Sequence, residues 1–264
     1  MPFSLIEYFP DVEGDGLRVT WAHAVNSKAK LDAALRGPAM MLEADVSMAC
    51  NSPYPLPVMA QPPDSASDMT LEEWLYTAVC HNNKGIKLDF KCTEVVEPAC
   101  RILDKIAAKF NGPIILNADI LPGPGNPSHV PIDLWTFLIL CRARFPNSIL
   151  SIGWTAEVIP GSTQKIGYSE EMIDRMIGLV KEYRLTQPVM FPVCASYLKY
   201  SVPEIESLLF QVPNGSLTVW SAKGHPINVD DLLAIRKAFH ISYVFYDLPS
   251  ELLDEFLCMA YDKK

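Results

Sequence analysis

The sequence predicts a single α/β domain, a TIM-like (β/α)8 barrel spanning residues 1–264. Short β-branched or apolar runs recur along the whole length, and a helix-like segment separates each from the next. No linker, charge block or shift of composition interrupts that alternation, and 264 residues is a natural size for one such barrel. An open parallel sheet of about six or seven strands, with one run misassigned, is the competing topology.

In chain order, Arg18–Ala22 holds Val19 and Thr20, and Lys28–Leu35 follows as the first helix. Met40–Val46 alternates apolar and acidic residues before Leu71–Val79, whose start, Thr70-Leu-Glu-Glu73, reads as a capping box. Gly85–Phe90 alternates again and precedes Val95–Lys109, and Pro113–Asp119 precedes Leu134–Arg144. Ile149–Trp154 leads to Glu170–Tyr183, and Pro188–Val193 leads to Glu204–Phe210. Ser201-Val-Pro-Glu204 reads as a second capping box. Ser216–Ser221 leads to Val229–Ala238, with Asn228 as N-cap, and Ser242–Leu248 leads to Glu251–Tyr261.

Composition excludes several classes. Nearly half the residues are hydrophobic, so the chain packs a core and is neither disordered nor collagenous. A net charge of −9 repels phosphate backbones and anionic headgroups, so no extended nucleic-acid surface is expected. The longest apolar stretch, Leu134–Cys141, contains Thr136 and is far too short to span a bilayer. MPFSLIEYFPDVEGDG lacks a basic leader, and the seven cysteines include no Cys-x-x-Cys, which together point to a reduced, cytoplasmic protein.

In a parallel barrel the chemistry gathers where strands end and loops begin. His23, His129 and His225 fall on that face, whereas His81 and His240 precede strands. In Met41-Leu-Glu-Ala-Asp-Val46, Leu42, Ala44 and Val46 face the helices, which turns Glu43 and Asp45 into the barrel mouth. Lys87-Leu-Asp-Phe-Lys91 repeats the pattern, with Lys87, Asp89 and Lys91 inward, and Asn117 and Asp119 end the next strand. Carboxylates so close need a cation, a shared proton or cationic neighbours. A hard divalent ion, Mg²⁺ or Ca²⁺, suits the Glu43, Asp45 and Asp89 oxygens. The other readings are an ion-pair network with Lys87 and Lys91, and Schiff-base chemistry at one of those lysines, which flanking carboxylates oppose by keeping the ammonium protonated. His23, with Asn26 just beyond it, suits acid/base work. Trp154 and Trp220 either wall a substrate pocket or pack the top layer, and Gly123-Pro-Gly125 is at most a weak anion cradle.

The segments VTWAHAVNSKAKLDAAL, MLEADV, PVMAQPP, TLEEWL, KGIKLDFK, ILNADILPGPG, SIGWT, QPVMFPV, SLTVW and VFYDL resemble, in order, the menorin-domain family, also described as family with sequence similarity 151. The resemblance covers Thr20 to about Asp247 and is to the short, soluble type of member. That family is similar in turn to phospholipase-C-like and glycerophosphodiester phosphodiesterases. The resemblance implies His23 as a catalytic histidine, Glu43, Asp45 and Asp89 as metal ligands, and Lys91 as the phosphate-binding cation. Two positions depart from the related pattern. Gln61, in Pro57-Val-Met-Ala-Gln-Pro-Pro63, stands where a second histidine is expected and cannot shuttle a proton, and Cys194 stands where an arginine is expected.

The expectation is therefore a divalent-metal-dependent hydrolase of a small-molecule, lipid or nucleotide phosphodiester. Asn26, Lys87, Asn117, Asp119, Trp154, Trp220 and His225 are its candidate substrate-binding residues, and His225 is a substitute proton donor for Gln61. The alternative is a catalytically weakened barrel that binds a phosphorylated ligand or a protein partner.

Overall fold

The computed structural model describes residues 4–63, 66–81, 83–125, 127–158 and 164–261. Its strands are β1 (Trp21–Ala22), β2 (Met41–Met48), β3 (Pro57–Met59), β4 (Gly85–Phe90), β5 (Ile114–Pro122), β6 (Ile149–Thr155), β7 (Val189–Cys194), β8 (Gly215–Trp220) and β9 (Val244–Asp247). The helices are α1 (Leu5–Tyr8), α2 (Lys28–Arg36), α3 (Leu71–His81), α4 (Thr93–Asp104), α5 (Leu134–Arg144), α6 (Glu170–Glu182), α7 (Ala195–Leu198), α8 (Val202–Gln211), α9 (Val229–Ala238) and α10 (Ser250–Tyr261). The sheet order is β1-β2-β4-β5-β6-β7-β8-β9, with β3 off that path against β2. Eight strands following one another in sequence order, with helices between them, make the α/β barrel that the alternation predicts.

The chain forms two compact units, Met1–Phe9 with Val19–Ala118 and Ile132–Ser151, and Pro10–Arg18 with Asp119–Pro131 and Ile152–Lys264. In the first unit, β2 and β4 pair in parallel with Glu43 opposite Lys87 and Asp45 opposite Asp89. Helix α4 covers both strands and packs on α5. It buries Val95, Val96, Ala99, Cys100 and Leu103, and each large side chain there stabilises by about 1.5–3 kcal/mol. Trp74 of α3 is fully buried, and its Nε1 donates to Val25 O at 2.9 Å, so the core also anchors the loop after β1. Gly85 opens β4 because a Cβ there would collide with Met41 Sδ.

Several boundaries differ from the sequence expectation, among them that of β5, which runs on past Asp119 to Pro122, and one strand was not expected at all. The expected strand Arg18–Ala22 is reduced to Trp21–Ala22, because Asp15 Oδ1 accepts from Leu17 N at 3.0 Å and curls Gly16–Arg18 into a 3₁₀ turn. The expected helix Val95–Lys109 stops at Asp104, where the N–H groups of Lys105 and Ile106 bond back to Ile102 and Leu103. The strand expected from Ser242 starts at Val244, because His240 Nδ1 accepts from Ser242 N and holds a 3₁₀ turn. Strand β3 escapes sequence reading, being only three residues with a proline first, yet it pairs antiparallel with Val46–Met48.

The caps divide two to one. Thr70 and Glu73 form the expected box, and Asn228 caps α9 in a box with Asp231. Ser201 does not cap α8. Its Oγ donates to Tyr197 O at 2.9 Å instead, and Pro203 in the first turn offers no N–H to receive.

In the second unit the 10–18 segment is locked to α9 and α10 through buried Asp15. Arg236 grips its carboxylate with Nη1 at 2.9 Å and Nη2 at 2.5 Å, and Tyr261 Oη donates to Oδ2 at 2.6 Å. Burial disfavours the charge, but these donors more than offset it and hold the Asp15 carboxyl below its ordinary range. Burial and Asp15 push the Tyr261 phenol up to about 12, so it stays a donor. Asp15→Asn leaves Arg236 buried beside a neutral amide and is expected to cost about 3 kcal/mol in urea unfolding at neutral pH. Because the folded carboxyl is the stronger acid, this contribution is present above the unfolded pKa of about 3.9 and disappears as pH falls through the lower folded value. A wild-type to variant difference that persists unchanged at the acid end would contradict the assignment.

Candidate metal centre

The alternation read from the sequence holds. Glu43 and Asp45 are 2% and 3% exposed, while Leu42, Ala44 and Val46 lie in the apolar core. Asp89 sits beside Asp45 in the parallel register, and one carboxylate oxygen from each of Glu43, Asp45 and Asp89 lies within 4.8 Å of the others. The three acids share one short stretch of two adjacent strands.

A network of donors holds these carboxylates. Lys91 Nζ reaches Asp45 Oδ1 at 2.8 Å and Asp89 Oδ2 at 2.5 Å. Asn26 uses its whole amide on Asp45, with Nδ2 donating to Oδ2 at 2.6 Å and Oδ1 accepting from Asp45 N at 2.9 Å. On the other side Asn117 Nδ2 donates to Asp89 Oδ1 at 2.6 Å, and Ser151 Oγ donates to Asn117 Oδ1 at 2.5 Å. The serine fixes which end of the Asn117 amide faces the acid. Lys87 is buried opposite Glu43, and its charge acts on Asp89.

Burial alone would raise the Asp89 pKa. Lys91 and Lys87, with the Lys91 and Asn117 hydrogen bonds, outweigh it and hold the carboxyl below its ordinary range. Burial likewise disfavours the Lys91 ammonium, but Asp89, Asp45 and Glu43 raise its pKa well above the usual lysine value. An amine so firmly protonated is no Schiff-base nucleophile.

The loop after β1 is stitched along β2. Val25 N donates to Glu43 O at 2.9 Å, and Ala24 N donates to Glu43 Oε2 at 2.8 Å. Ala24 adopts φ +51°, a left-handed conformation costing about 1–3 kcal/mol outside glycine, and this turns its N–H onto the carboxylate. His23, just before it, is exposed and places Nδ1 3.2 Å from Glu43 Oε2. On the far side Ala60 N donates to Asp45 O at 3.0 Å and Ser47 Oγ to Ala60 O at 2.7 Å, so the β2–β3 hairpin brings exposed Gln61 to the same end of β2.

Asp119, Trp154, Trp220 and His225 belong to the second unit. Asp119 is half-buried, and Gly153 leaves it room, since a Cβ there would stand 2.6 Å from Asp119 Oδ1. Trp154 is 2% exposed and packs on Tyr168 and Phe191, with centroids 5.1 and 6.4 Å away. Trp220 lies 5.7 Å from the His225 ring. His225 Nδ1 accepts from Ala222 N at 3.2 Å and is 3.8 Å from Cys194 Sγ. Burial lowers the His225 pKa and pushes the Cys194 thiol up to about 11, so the two meet as neutral groups.

Two contributors have no simple sequence motif. Ser151 was legible only as an inward position of Ile149–Trp154, and the Ala24 N–H carries no sequence signal at all.

Residues 15–253 match the profile of the Menorin N-terminal domain. Human protein FAM151B is 42% identical over 250 residues, covering 93% of this chain and 89% of that protein. Among solved structures, a glycerophosphodiester phosphodiesterase from Parabacteroides distasonis aligns with a TM-score of 0.56 at 11% identity, covering 93% of this chain and 99% of that one. The structural likeness establishes the α/β-barrel fold.

The Asn26 grip on Asp45 generates a stability test. Asn26→Ala removes two hydrogen bonds to a buried residue and is expected to cost about 2 kcal/mol in urea unfolding. Asn26→Asp keeps an acceptor for Asp45 N but sets a carboxylate beside Oδ2, so it is expected to cost more than the alanine variant. The reverse order would show that the amide does not hold the acid.

Proposed function

The chain belongs to the menorin family, and on that premise we propose that it is a divalent-metal-dependent phosphodiesterase acting on a small-molecule, lipid or nucleotide phosphodiester. The observation that carries this reading is the cluster of Glu43, Asp45 and Asp89 oxygens with a lysine ammonium among them. Three carboxylates without a nitrogen or sulfur donor fit a hard ion, Mg²⁺ or Ca²⁺, better than a softer metal. A divalent cation bound to these acids supplies Lewis-acid polarisation of a phosphoryl oxygen.

The chain's own residues divide the remaining work. Lys91, with 21% of its side chain exposed, is the cation that meets the substrate phosphate. His23 donates Nδ1–H to Glu43, which leaves the Nε2 lone pair to accept the proton of an attacking hydroxyl, either water or a hydroxyl of the substrate itself. Gln61 carries no titratable proton and offers only an amide hydrogen bond to the leaving oxygen. That deficit favours a second reading, a weakened barrel that binds a phosphorylated ligand without efficient turnover.

Glycerol, lipid and nucleotide phosphodiesters assayed with Mg²⁺, Ca²⁺ and Mn²⁺ separate the two readings. Metal-dependent turnover is expected for one of them, and its loss in Asp45→Asn should accompany divalent binding weakened more than about tenfold by calorimetry. Unchanged metal binding in Asp45→Asn would sink the site. Gln61→His is expected to raise the rate by about 10²-fold or more while leaving metal affinity nearly unchanged, since a positioned acid contributes about 10²–10⁴-fold. If the rate does not respond, position 61 lies outside the chemistry.

A further inference from the structure

All four oxygens of Asp45 and Asp89 accept a hydrogen bond: one of each pair from an asparagine amide, the other from Lys91. The donors are not equivalent. Asn26 is tied through its own Oδ1 to Asp45 N, and Asn117 is tied through Oδ1 to Ser151, so both amides are anchored at their far ends. They are also neutral, and a carboxylate oxygen has a second lone pair, so these bonds are compatible with ligation of a cation by the same acids. Lys91 differs in each respect. It rides on a flexible four-carbon stem, is partly exposed, and puts a full positive charge between the two carboxylates that a divalent ion would use. Like charges a few ångströms apart in a partly buried site repel strongly.

We propose that Lys91 competes with the divalent cation for Asp45 and Asp89, so that metal binding turns the ammonium away from the acids and toward the substrate phosphate. The inference rests on the metal-site reading above and deepens it. Metal and phosphate then assist each other: the metal releases the cation that phosphate needs, and phosphate holds that cation away from the oxygens the metal needs. The anchored asparagines keep the carboxylates in place while the lysine moves, which confines the change to one side chain.

Calorimetric titration with Mg²⁺ alone, on wild type, Lys91→Met and Asp45→Asn, tests the competition without any assay of turnover. Lys91→Met is expected to bind Mg²⁺ at least about tenfold more tightly than wild type, and Asp45→Asn more weakly. Equal or weaker binding in Lys91→Met, with Asp45→Asn weakened, overturns the competition and leaves the metal site standing. Mg²⁺ binding that responds to neither substitution, or that is undetectable in all three proteins, overturns the metal site and the competition with it. Should Lys91→Met not fold, Lys91→Gln carries the same expectation, because its amide still donates but has no charge. Wild type offers an independent measurement: inorganic phosphate should bind at least about tenfold more tightly with Mg²⁺ than without, and phosphate binding indifferent to Mg²⁺ overturns the proposal.

Discussion

Three carboxylates gathered within 4.8 Å on two adjacent buried strands repel one another, and the architecture around them is organised by that repulsion. Without compensation at least one would take up a proton, as like charges in a shared site do. Lys87 on β4 and Lys91 just beyond its end supply positive charge, two asparagines supply oriented N–H groups, and the Ala24 backbone N–H serves Glu43. Three carboxylates therefore face two lysines in this cluster.

The compensation is built from short-range pieces. Each acid is served from a neighbouring element: the loop after β1 for Glu43 and Asp45, and β5 through Asn117 for Asp89, with Ser151 of β6 holding Asn117 in turn. The left-handed Ala24 accompanies two consecutive N–H groups that serve the Glu43 side chain and its carbonyl. The β2–β3 hairpin serves the other flank. By extending β2 to Met48 and folding back, it carries Gln61 to the same end of β2, although 14 residues lie between Val46 and Gln61.

The three clustered acids were legible in the sequence because strand periodicity is strict. One-residue alternation in Met41–Val46 and Lys87–Lys91 allows one assignment of faces once the apolar residues are given to the helices. The parallel order was legible for a similar reason, since helix and strand patterns alternate without a break. Ser201 shows the limit of such reading. The capping-box letters are present, but the Ser201 hydroxyl donates to the Tyr197 carbonyl and accepts no N–H of α8, and no sequence rule ranks the two. Trp154 is a second case, its burial against Tyr168 depending on a residue from the loop beyond β6.

By itself the sequence determined the α/β barrel order and the inward set Glu43, Asp45, Lys87, Asp89 and Lys91, because both follow from local periodicity and from the need to bury apolar faces. Tertiary structure decided what each polar group does there. The amides of Asn26 and Asn117 hydrogen-bond Asp45 and Asp89, and Ser151, unremarked as a motif, sets the orientation of Asn117. Hydrogen-bond partnership depends on ångström-scale distances between residues remote in the chain, and a one-dimensional pattern specifies the face a side chain occupies without specifying the partner it meets.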